Sequence, residues 1–391
     1  MSSLEIIYQT RKDPKILMGE EYIDTQLKRP SLFTLVQQMG PNCNLSCPHC
    51  YGCFGKDISG LPNPEIIRKT LEEAAELKIE SVCLSDGEPM REENREVMGL
   101  FAEYSSRVPV SIMTNAFFAD SKTSAEAWFN FLKEGGFDLE RNLFKVSTGP
   151  TYFVNSDNYR FFNEGIKTVF PKVDFGKGLK YSFLGFGDLD KEQDLFSKVL
   201  KNISDTFNVS KEKIKSDSSQ IPLFFVPSGK SMIELRYEPC EPEGRAEAFE
   251  YGPERRKRIF SVEEMLFSVR DWEFLTIDYL GNVGFGDSQR CIGEGRNYGN
   301  VSKDSLIYLM RKIFHDPYYQ ANKLGGVRFI YHLAQEIEPD FKEEGRIHCN
   351  VCKKISSRKD LVEKIRERLN KNGIKEEYLN YLERRGLPIV Y

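Results

Sequence analysis

Short apolar runs alternate with longer amphipathic segments over residues 32–226. Six of these runs are rich in β-branched and aromatic residues, and the sequence predicts them as strands. Between them apolar residues recur at helical spacing, as in Ile67, Leu71 and Ala74. The predicted strands are residues 32–36, 82–84, 108–113, 143–147, 179–184 and 221–226, and the predicted helices are residues 62–77, 93–105, 124–134, 157–170 and 191–203. This alternation predicts βαβ units, and therefore an α/β fold with a parallel sheet.

The pattern changes after about residue 228. Residues 233–237 alternate like a strand, and residues 274–278 and 283–285 flank a turn with Gly281-Asn282 that predicts a β-hairpin. Residues 302–314 are predicted to be helical, and residues 360–385 to form one or two charged amphipathic helices. The predicted segments are a polar lead-in (1–31), an α/β domain (32–228), a smaller hairpin-plus-helix domain (229–355) and a helical tail (356–391).

The composition is that of a globular protein with more than one domain. The chain has 391 residues, 40% hydrophobic and 29% charged, which is too long for one ordinary core. Its net charge of −4 provides no strong attraction for nucleic acid. No apolar run approaches the about 20 residues of a membrane span, and the polar N-terminus lacks the apolar core of a signal peptide. We expect a cytoplasmic protein without nucleic-acid or membrane partners, whose nine cysteines serve metal or redox chemistry.

Three cysteines follow the first predicted strand at spacings of four and three residues. Cys43, Cys47 and Cys50 lie on a short loop, so their thiolates can converge on one small volume. A four-iron cluster takes four thiolates, and three would leave one iron open to another ligand. A zinc site would need a second cysteine pair or histidines at matching spacing, and His49 is poorly placed to serve. A zinc knuckle or three unrelated thiols are the alternatives.

The run Cys43-x3-Cys47-x2-Cys50, followed by Tyr51, resembles the signature of the radical S-adenosylmethionine (radical SAM) superfamily. The resemblance implies a partial (β/α)6 barrel with its active site at the carboxyl ends of the strands. It also implies a [4Fe–4S] cluster on the three cysteines, whose open iron is chelated by S-adenosylmethionine. An electron, from a donor such as ferredoxin or flavodoxin, then gives a 5′-deoxyadenosyl radical that abstracts hydrogen. Oxygen-labile clusters favour an anaerobic or well-reduced cell.

Polar motifs end the predicted strands that follow. Ser85-Asp86-Gly87-Glu88-Pro89 resembles the Gly-Gly-Glu-Pro motif of the family, with Asp86 in place of the first glycine. In the family this motif holds the ammonium group of the methionine moiety, since a carboxylate suits a cation and glycine allows close approach. A plain strand-to-helix turn is the alternative for this motif. Thr114-Asn115-Ala116 and Ser147-Thr148-Gly149 resemble the runs that end the next two strands in the family, and simple capping is the alternative for the first of them. The cofactor-binding residues that the resemblance implies are Tyr51, Gly87, Glu88, Asn115 and Ser147.

A second group of cysteines lies in the smaller domain. Cys349-x2-Cys352 follows Cys291, two Gly-Asn-Val runs (281–283 and 299–301) and a Gly-Arg-Ala run (244–246). This pattern resembles the SPASM or twitch extension of radical SAM maturases and dehydrogenases, which holds an auxiliary iron–sulfur cluster. Cys240 would supply the fourth ligand, or one iron would remain open to substrate. A tetrahedral zinc site on the same four thiolates is the alternative.

The resemblance therefore predicts a radical SAM enzyme that abstracts hydrogen from a peptide or protein side chain, with an auxiliary cluster that assists oxidation or substrate binding. Against a peptide substrate, residues 1–31 are too few for the separate leader-binding domain of many such maturases. The alternative is a twitch-type oxidation or rearrangement of a small polar molecule such as a sugar or cyclitol. The alternative from another class is a non-catalytic iron–sulfur or zinc protein. The sequence assigns no catalytic acid or base.

Overall fold

A computed structural model gives the fold of two compact units, Leu35–Gly252 and Met1–Thr34 with Pro253–Tyr391. The structure describes residues 33–47, 50, 54–56, 58–149, 156–185, 189–208, 215–217, 223–228, 231–239, 274–286, 292–341 and 348–384.

The first unit is built on a mostly parallel sheet. Its strands follow the order β1-β2-β3-β4-β5-β8-β7-β6. Strands β2 to β5 and β8 run parallel to one another, while β7 pairs antiparallel with β8 and β6 pairs antiparallel with β7. The strands are β1 Thr34–Gln38, β2 Ser81–Ser85, β3 Val110–Thr114, β4 Leu143–Thr148, β5 Leu179–Gly185, β6 Lys215–Asp217, β7 Leu223–Ser228 and β8 Ser231–Pro239. The predicted α/β class with a parallel sheet is confirmed.

Helices connect the parallel strands where the sequence predicts them. Local capping starts two of them, since the Asn63 side chain accepts a bond of 2.8 Å from the Glu65 amide and Ser121 accepts one of 3.1 Å from the Ser124 amide. The helices of this unit are α1 Pro64–Glu76, α2 Arg95–Tyr104, α3 Lys122–Glu134, α4 Ser156–Val169, the single turn α5 Phe175–Gly178, and α6 Leu189–Thr206. Capping thus marks the start of α1 and of α3, while the long connection from β1 to α1, residues 39–63, holds the cysteine loop.

Alternation along the strands gives the sheet two different faces. One face is apolar: its side chains are at most 1% exposed, and Phe144 of β4 packs edge-on against Phe129 of α3 and Phe162 of α4 at centroid distances of 5.6 and 5.7 Å. The intervening positions are half-buried and include Ser111 and Lys145. The members of the apolar face on β2 to β5 are Val82, Leu84, Val110, Ile112, Phe144, Val146, Leu179, Tyr181 and Phe183.

The sixth parallel strand is not the run that the sequence predicts. Residues 221–226 were expected to fill that position, but β7 in this region pairs antiparallel with β8. Strand β8 is the parallel neighbour of β5, with Tyr181 opposite Leu235. Ser228 pairs with Ser231, so only Gly229 and Lys230 connect the two strands. A two-residue link containing glycine favours a hairpin, whereas a parallel crossover needs a dozen or more residues.

The second unit contains the predicted hairpin and a set of helices. Strands β9 Phe274–Ile277 and β10 Val283–Phe285 pair antiparallel, as predicted. The predicted helix in 302–314 and the helical tail are confirmed, the tail as two helices. A long helix that begins at Pro317 and is interrupted at Gly326 was not predicted, because the apolar spacing is broken there. The helices are α7 Leu306–Phe314, α8 Pro317–Ile337, α9 His348–Ser356, α10 Lys359–Asn372 and α11 Ile374–Arg384.

Within the part of the chain that the structure describes, no helix combines the length and the apolar character needed to cross a bilayer.

Candidate functional site

The three predicted ligand cysteines lie on the loop that follows β1. Cys43 and Cys47 are buried, and Cys50 is half-buried. They belong to one apolar cluster with Leu45 and Phe54. Further along the loop, the amide of Cys50 bonds the Cys47 carbonyl at 3.2 Å, and the amide of Phe54 donates to the Cys50 sulfur at 3.3 Å. The loop therefore gathers three thiols in a region shielded from water.

Backbone bonds close this loop at its base. The amide of Cys43 donates to the carbonyl of Gly55 at 3.2 Å, and the amide of Gly55 donates to the carbonyl of Pro41 at 3.2 Å. Asn42 and Gly55 form a parallel bridge at the same place. These bonds hold residues 41–43 against residue 55 and thereby fix the two ends of the cysteine loop.

Burial makes the Cys43 thiol hard to ionise without a compensating charge. Desolvation raises the pKa of Cys43 to about 12, the Glu88 carboxylate and the Cys50 sulfur add to the rise, and the Leu45 amide and Arg91 offset part of it. A metal ion supplies such a charge, because thiolates bind metal in the deprotonated form. Three thiols suit a four-iron group, in which each thiolate binds a different iron. Among the described residues, no three His, Cys, Asp or Glu side chains are grouped to hold a single metal ion.

The turn after β2 packs directly against the start of this loop. Gly87 has φ +69°, and a Cβ on it would lie 2.6 Å from the Gly40 carbonyl oxygen and 2.9 Å from that of Asn42. Only glycine fits there without displacing backbone. Asp86 also has a positive φ, of 62°, which aspartate tolerates better than most residues. The departure from the Gly-Gly-Glu-Pro pattern is therefore compatible with the backbone conformation.

Glu88 is the centre of a buried hydrogen-bond network. Its side chain is 1% exposed. Oε1 accepts from the Met90 amide at 3.0 Å and the Thr114 hydroxyl at 2.7 Å, and Oε2 accepts from the Asn115 amide at 2.8 Å. Burial raises the pKa of Glu88 to about 7, and these three bonds together with Arg91 limit the rise. The network joins the ends of β2 and β3.

Two more contacts tie the cysteine loop to these strand ends, and the sequence analysis missed both of them as pairs. Arg91 donates to the Asn42 side chain and bonds Glu93. Asn115 donates from its side chain to Asn44 at 3.1 Å. Arg91 carries no sequence signal beyond its position three residues after Glu88. Asn115 was predicted from its motif, although its partner on the loop was not.

Ser147 lies at the end of β4, at the same edge of the parallel sheet. It is buried, its carbonyl accepts a bond of 3.4 Å from the Tyr159 hydroxyl, and it lies opposite Ser182 of β5. Among the described residues, no hydrogen bond joins the Ser147 side chain to Glu88. Of the other predicted cofactor residues, Tyr51 lies outside the described residues.

The second group of cysteines is described in part. Cys349 and Cys352 lie on α9, and the side chain of Cys352 is described. Its sulfur accepts a bond of 3.0 Å from Nη1 of Arg296, a buried residue that sequence reasoning did not single out. The predicted ligands Cys240 and Cys291 lie outside the described residues.

Comparisons with known proteins give structural similarity only. No protein-family model and no curated protein matches the chain. SuiB from Streptococcus suis bound to S-adenosylmethionine shares 13% identity over 74% of this chain and 67% of that chain, with a TM-score of 0.38. BtrN in complex with AdoMet and 2-DOIA shares 14% identity over 75% and 88%, with a TM-score of 0.39. HydG, a maturase of the [FeFe]-hydrogenase, shares 10% identity over 94% and 92%, with a TM-score of 0.34.

Proposed function

We propose that this chain is a radical SAM enzyme. The observation that carries the proposal is the convergence of its motifs. The Cys43-x3-Cys47-x2-Cys50 loop, the Gly87-Glu88 turn and Asn115 come from three different connections, yet the contacts of Gly87 and Asn115 join them. Each lies where a strand of the sheet ends, which is where α/β enzymes bind their ligands.

The three cysteines are the proposed ligands of a [4Fe–4S] cluster. When bound together with S-adenosylmethionine, such a cluster supplies the electron that releases the 5′-deoxyadenosyl radical. Leu45 and Phe54, both 5% exposed, pack with the thiols and keep water away from them. Exclusion of water protects a reactive centre from side reactions.

Glu88 is the proposed partner of the ammonium group of S-adenosylmethionine. A carboxylate has about four lone-pair sites, and protein donors occupy three of them here. One site remains for an ammonium hydrogen, and the three bonds fix the direction in which it points. A preorganised carboxylate of this kind binds a cation without rearrangement. Gly87, which has no side chain, would allow the cofactor to approach the backbone closely. Ser147 and Tyr51 complete the proposed cofactor site.

The auxiliary site and the partners belong to the same proposal. Cys291, Cys349 and Cys352, with Cys240 as fourth ligand or with one open iron, would hold an auxiliary iron–sulfur cluster in the 229–355 segment. This cluster would assist oxidation of the substrate or bind it. A ferredoxin or flavodoxin would donate the electron, in the cytoplasm, where thiols stay reduced.

The proposed substrate is a peptide or protein side chain, as the resemblance of residues 229–355 to radical SAM maturases implies. Oxidation of a small polar molecule is the second candidate, and a specific observation favours it. The face of the sheet opposite the apolar core carries half-buried polar side chains, including Ser111, Lys145 and the pair of Lys180 with Glu234, whose nitrogen and oxygen are 3.6 Å apart. Such a face suits hydroxyl or carboxylate groups of a ligand.

Anaerobic reconstitution tests the proposal. Iron and sulfide are counted, and 5′-deoxyadenosine is measured after adding S-adenosylmethionine and a strong reductant. The proposal requires both an iron–sulfur cluster and 5′-deoxyadenosine. Iron or zinc binding without 5′-deoxyadenosine would instead make the chain a non-catalytic metal protein. Deuterium transfer from candidate peptides and from candidate polyols into 5′-deoxyadenosine then separates the two substrate classes.

A further inference from the structure

A buried arginine faces the sulfur of Cys352. The Arg296 side chain is 1% exposed, its Nη1 lies 3.0 Å from the Cys352 Sγ, and its guanidinium carbon lies 4.8 Å from the centre of the Phe285 ring. A guanidinium transferred from water into a protein interior loses its hydration, and this costs free energy unless an anion or acceptor replaces the water. The contact with Cys352 provides such an acceptor.

Asp316 and Arg366 form an ion pair in the same unit as Arg296. Asp316 is bound by Arg366 at 2.7 Å, and it also accepts the hydroxyl of Tyr298. Arg366 reaches the Glu363 carboxylate at 2.7 Å as well. The Asp316 and Glu363 carboxylates thus bind Arg366, whereas Arg296 donates to the sulfur of Cys352.

Backbone packing places the segment after residue 291 against the helix that carries Cys349 and Cys352. A Cβ on Gly293 would lie 2.5 Å from the Ser356 carbonyl oxygen, and one on Gly295 would lie 2.6 Å from the Val362 side chain. The amide of Arg296 bonds the Gly293 carbonyl at 2.9 Å, which folds this segment into a short turn. The turn therefore fixes the position of the Arg296 Cα atom.

A second polar group near the sulfur tests how well this site fits an iron–sulfur group. Tyr318 on α8 is 0% exposed, and its hydroxyl has no hydrogen-bond partner among the residues that the structure describes. Its ring centre lies 6.4 Å from that of Phe285, the ring that also faces the Arg296 guanidinium at 4.8 Å. Iron–sulfur groups present sulfur atoms that accept hydrogen bonds, and these bonds contribute to their reduction potentials. A guanidinium that donates to one ligand sulfur, with a phenol beside the same Phe285 ring that has no partner among the described residues, therefore fits such a group.

We propose that Arg296 is a positioning residue for the auxiliary iron–sulfur cluster: its buried guanidinium orients the Cys352 sulfur and raises the reduction potential of the cluster. This inference rests on the proposed auxiliary cluster. Reduction adds negative charge to the cluster and its ligand sulfurs. A cation and hydrogen-bond donor at 3.0 Å from one sulfur stabilises the reduced state more than the oxidised state. The cluster thereby becomes a better acceptor for an electron from a substrate radical.

The test uses the full chain with Cys43, Cys47 and Cys50 replaced by alanine, so that any cluster belongs to the auxiliary site. Arg296→Met removes charge and donors at similar length, and Arg296→Lys keeps the charge. Arg358→Met is the matched control, because Arg358 pairs with Glu338 at 2.7 Å in the same unit and is half-exposed. The reduction potential is measured by a redox titration followed by electron paramagnetic resonance, alongside iron content and circular dichroism.

We expect Arg296→Met to lower the potential by an amount equal to at least a tenfold change in the redox equilibrium, about 59 mV for one electron. Arg296→Lys should give a smaller shift, and Arg358→Met none. If the Arg296→Met chain folds but loses its iron, its potential cannot be measured. A lowered potential in Arg296→Lys then supports the proposal. An unchanged potential in both Arg296 variants overturns the proposal. So does loss of fold in both, because the arginine would then serve the fold and not the sulfur.

The parent chain separates this proposal from the one on which it rests. If the chain without Cys43, Cys47 and Cys50 binds no iron–sulfur cluster before Arg296 is changed, the auxiliary cluster itself is refuted, and this inference falls with it. If the cluster is present and only the expected shift is missing, the auxiliary cluster stands and the role of Arg296 is refuted.

Discussion

Cys43 and Cys352, one from each group of cysteines, lie in different electrostatic surroundings. Cys43 is buried with Leu45 and Phe54, and the nearby Glu88 carboxylate helps to raise its pKa. Cys352 instead accepts a bond from the buried guanidinium of Arg296. Apolar burial beside an anion disfavours added electrons, whereas a cation favours them. We therefore expect a low-potential, electron-donating cluster at the first group and a higher-potential, electron-accepting cluster at the second.

Removing the first group should have the largest effect. The Cys43→Ala/Cys47→Ala/Cys50→Ala chain should lose about four irons, the content of one such cluster. Formation of 5′-deoxyadenosine from S-adenosylmethionine should stop, as measured by chromatography after anaerobic reduction. Replacement of Cys83, a half-buried cysteine of β2 outside both groups, by alanine is the control and should leave both quantities unaltered. Retained iron together with retained activity would refute the assignment.

Removing the second group should separate the two roles. The Cys349→Ala/Cys352→Ala chain should lose the iron of one cluster and keep that of the other. It should still form 5′-deoxyadenosine, because that step belongs to the first group, but should fail to convert substrate. Metal analysis of both chains checks this. One zinc per chain, lost on substitution while iron stays constant, would make the second group a structural zinc site.

Replacing Glu88 should weaken cofactor binding and leave the cluster in place. Glu88→Gln removes the charge that faces the ammonium, and S-adenosylmethionine affinity should fall about 10- to 100-fold, as for loss of a hydrogen bond to a charged group. Equilibrium binding measures the affinity, and absorbance monitors the cluster. Glu93→Gln, which changes an exposed carboxylate bound to Arg91, is the matched control. Equal affinities in the two variants would leave Glu88 with a structural role alone.

The affinity for S-adenosylmethionine should also depend on pH, through the Glu88 carboxylate. Because burial raises the pKa of Glu88 to about 7, its neutral form gains population as the pH falls through that value. A neutral carboxyl group attracts an ammonium less, so wild-type affinity should be weaker at about pH 6 than at about pH 8. The Glu88→Gln variant provides the control, since titration of the ligand itself is common to both chains. An identical pH profile in the two chains would contradict the prediction.

Substitution at the turn after β2 should have the smallest effect, on stability. Gly87→Ala places a Cβ 2.6 Å from the Gly40 carbonyl oxygen at a positive φ, and should cost about 1–3 kcal/mol of unfolding free energy. Gly99→Ala is the control. Its Cβ would meet only the Phe131 ring, at 3.5 Å, and alanine should stabilise helix α2 by up to about 1 kcal/mol. Denaturant unfolding followed by circular dichroism compares them, and equal stabilities would show that the turn can shift away from the cysteine loop.

Local patterns in the sequence determined most of the elements and the identity of the motifs. Strands β1 to β5, the helices between them and the hairpin of β9 and β10 follow from apolar periodicity and turn residues, because these signals act over a few neighbouring positions. The cysteine spacing and the Gly87-Glu88 pair are likewise local. Asp86 replaces the first glycine of the family motif. In the structure it has a positive φ, which aspartate tolerates better than most residues.

Tertiary structure decided which of these elements meet. The antiparallel pairing of β7 with β8 follows from their two-residue link. The apolar run of residues 221–226 indicated a strand but not its direction. The bond between Arg91 and Asn42 joins residues 49 positions apart, and that between Arg296 and Cys352 joins residues 56 apart. Arginine and lysine together occur 55 times in the chain, so the presence of an arginine indicates no particular partner. Burial gives Arg296 its partner, since only folding removes the water that would otherwise solvate its charge.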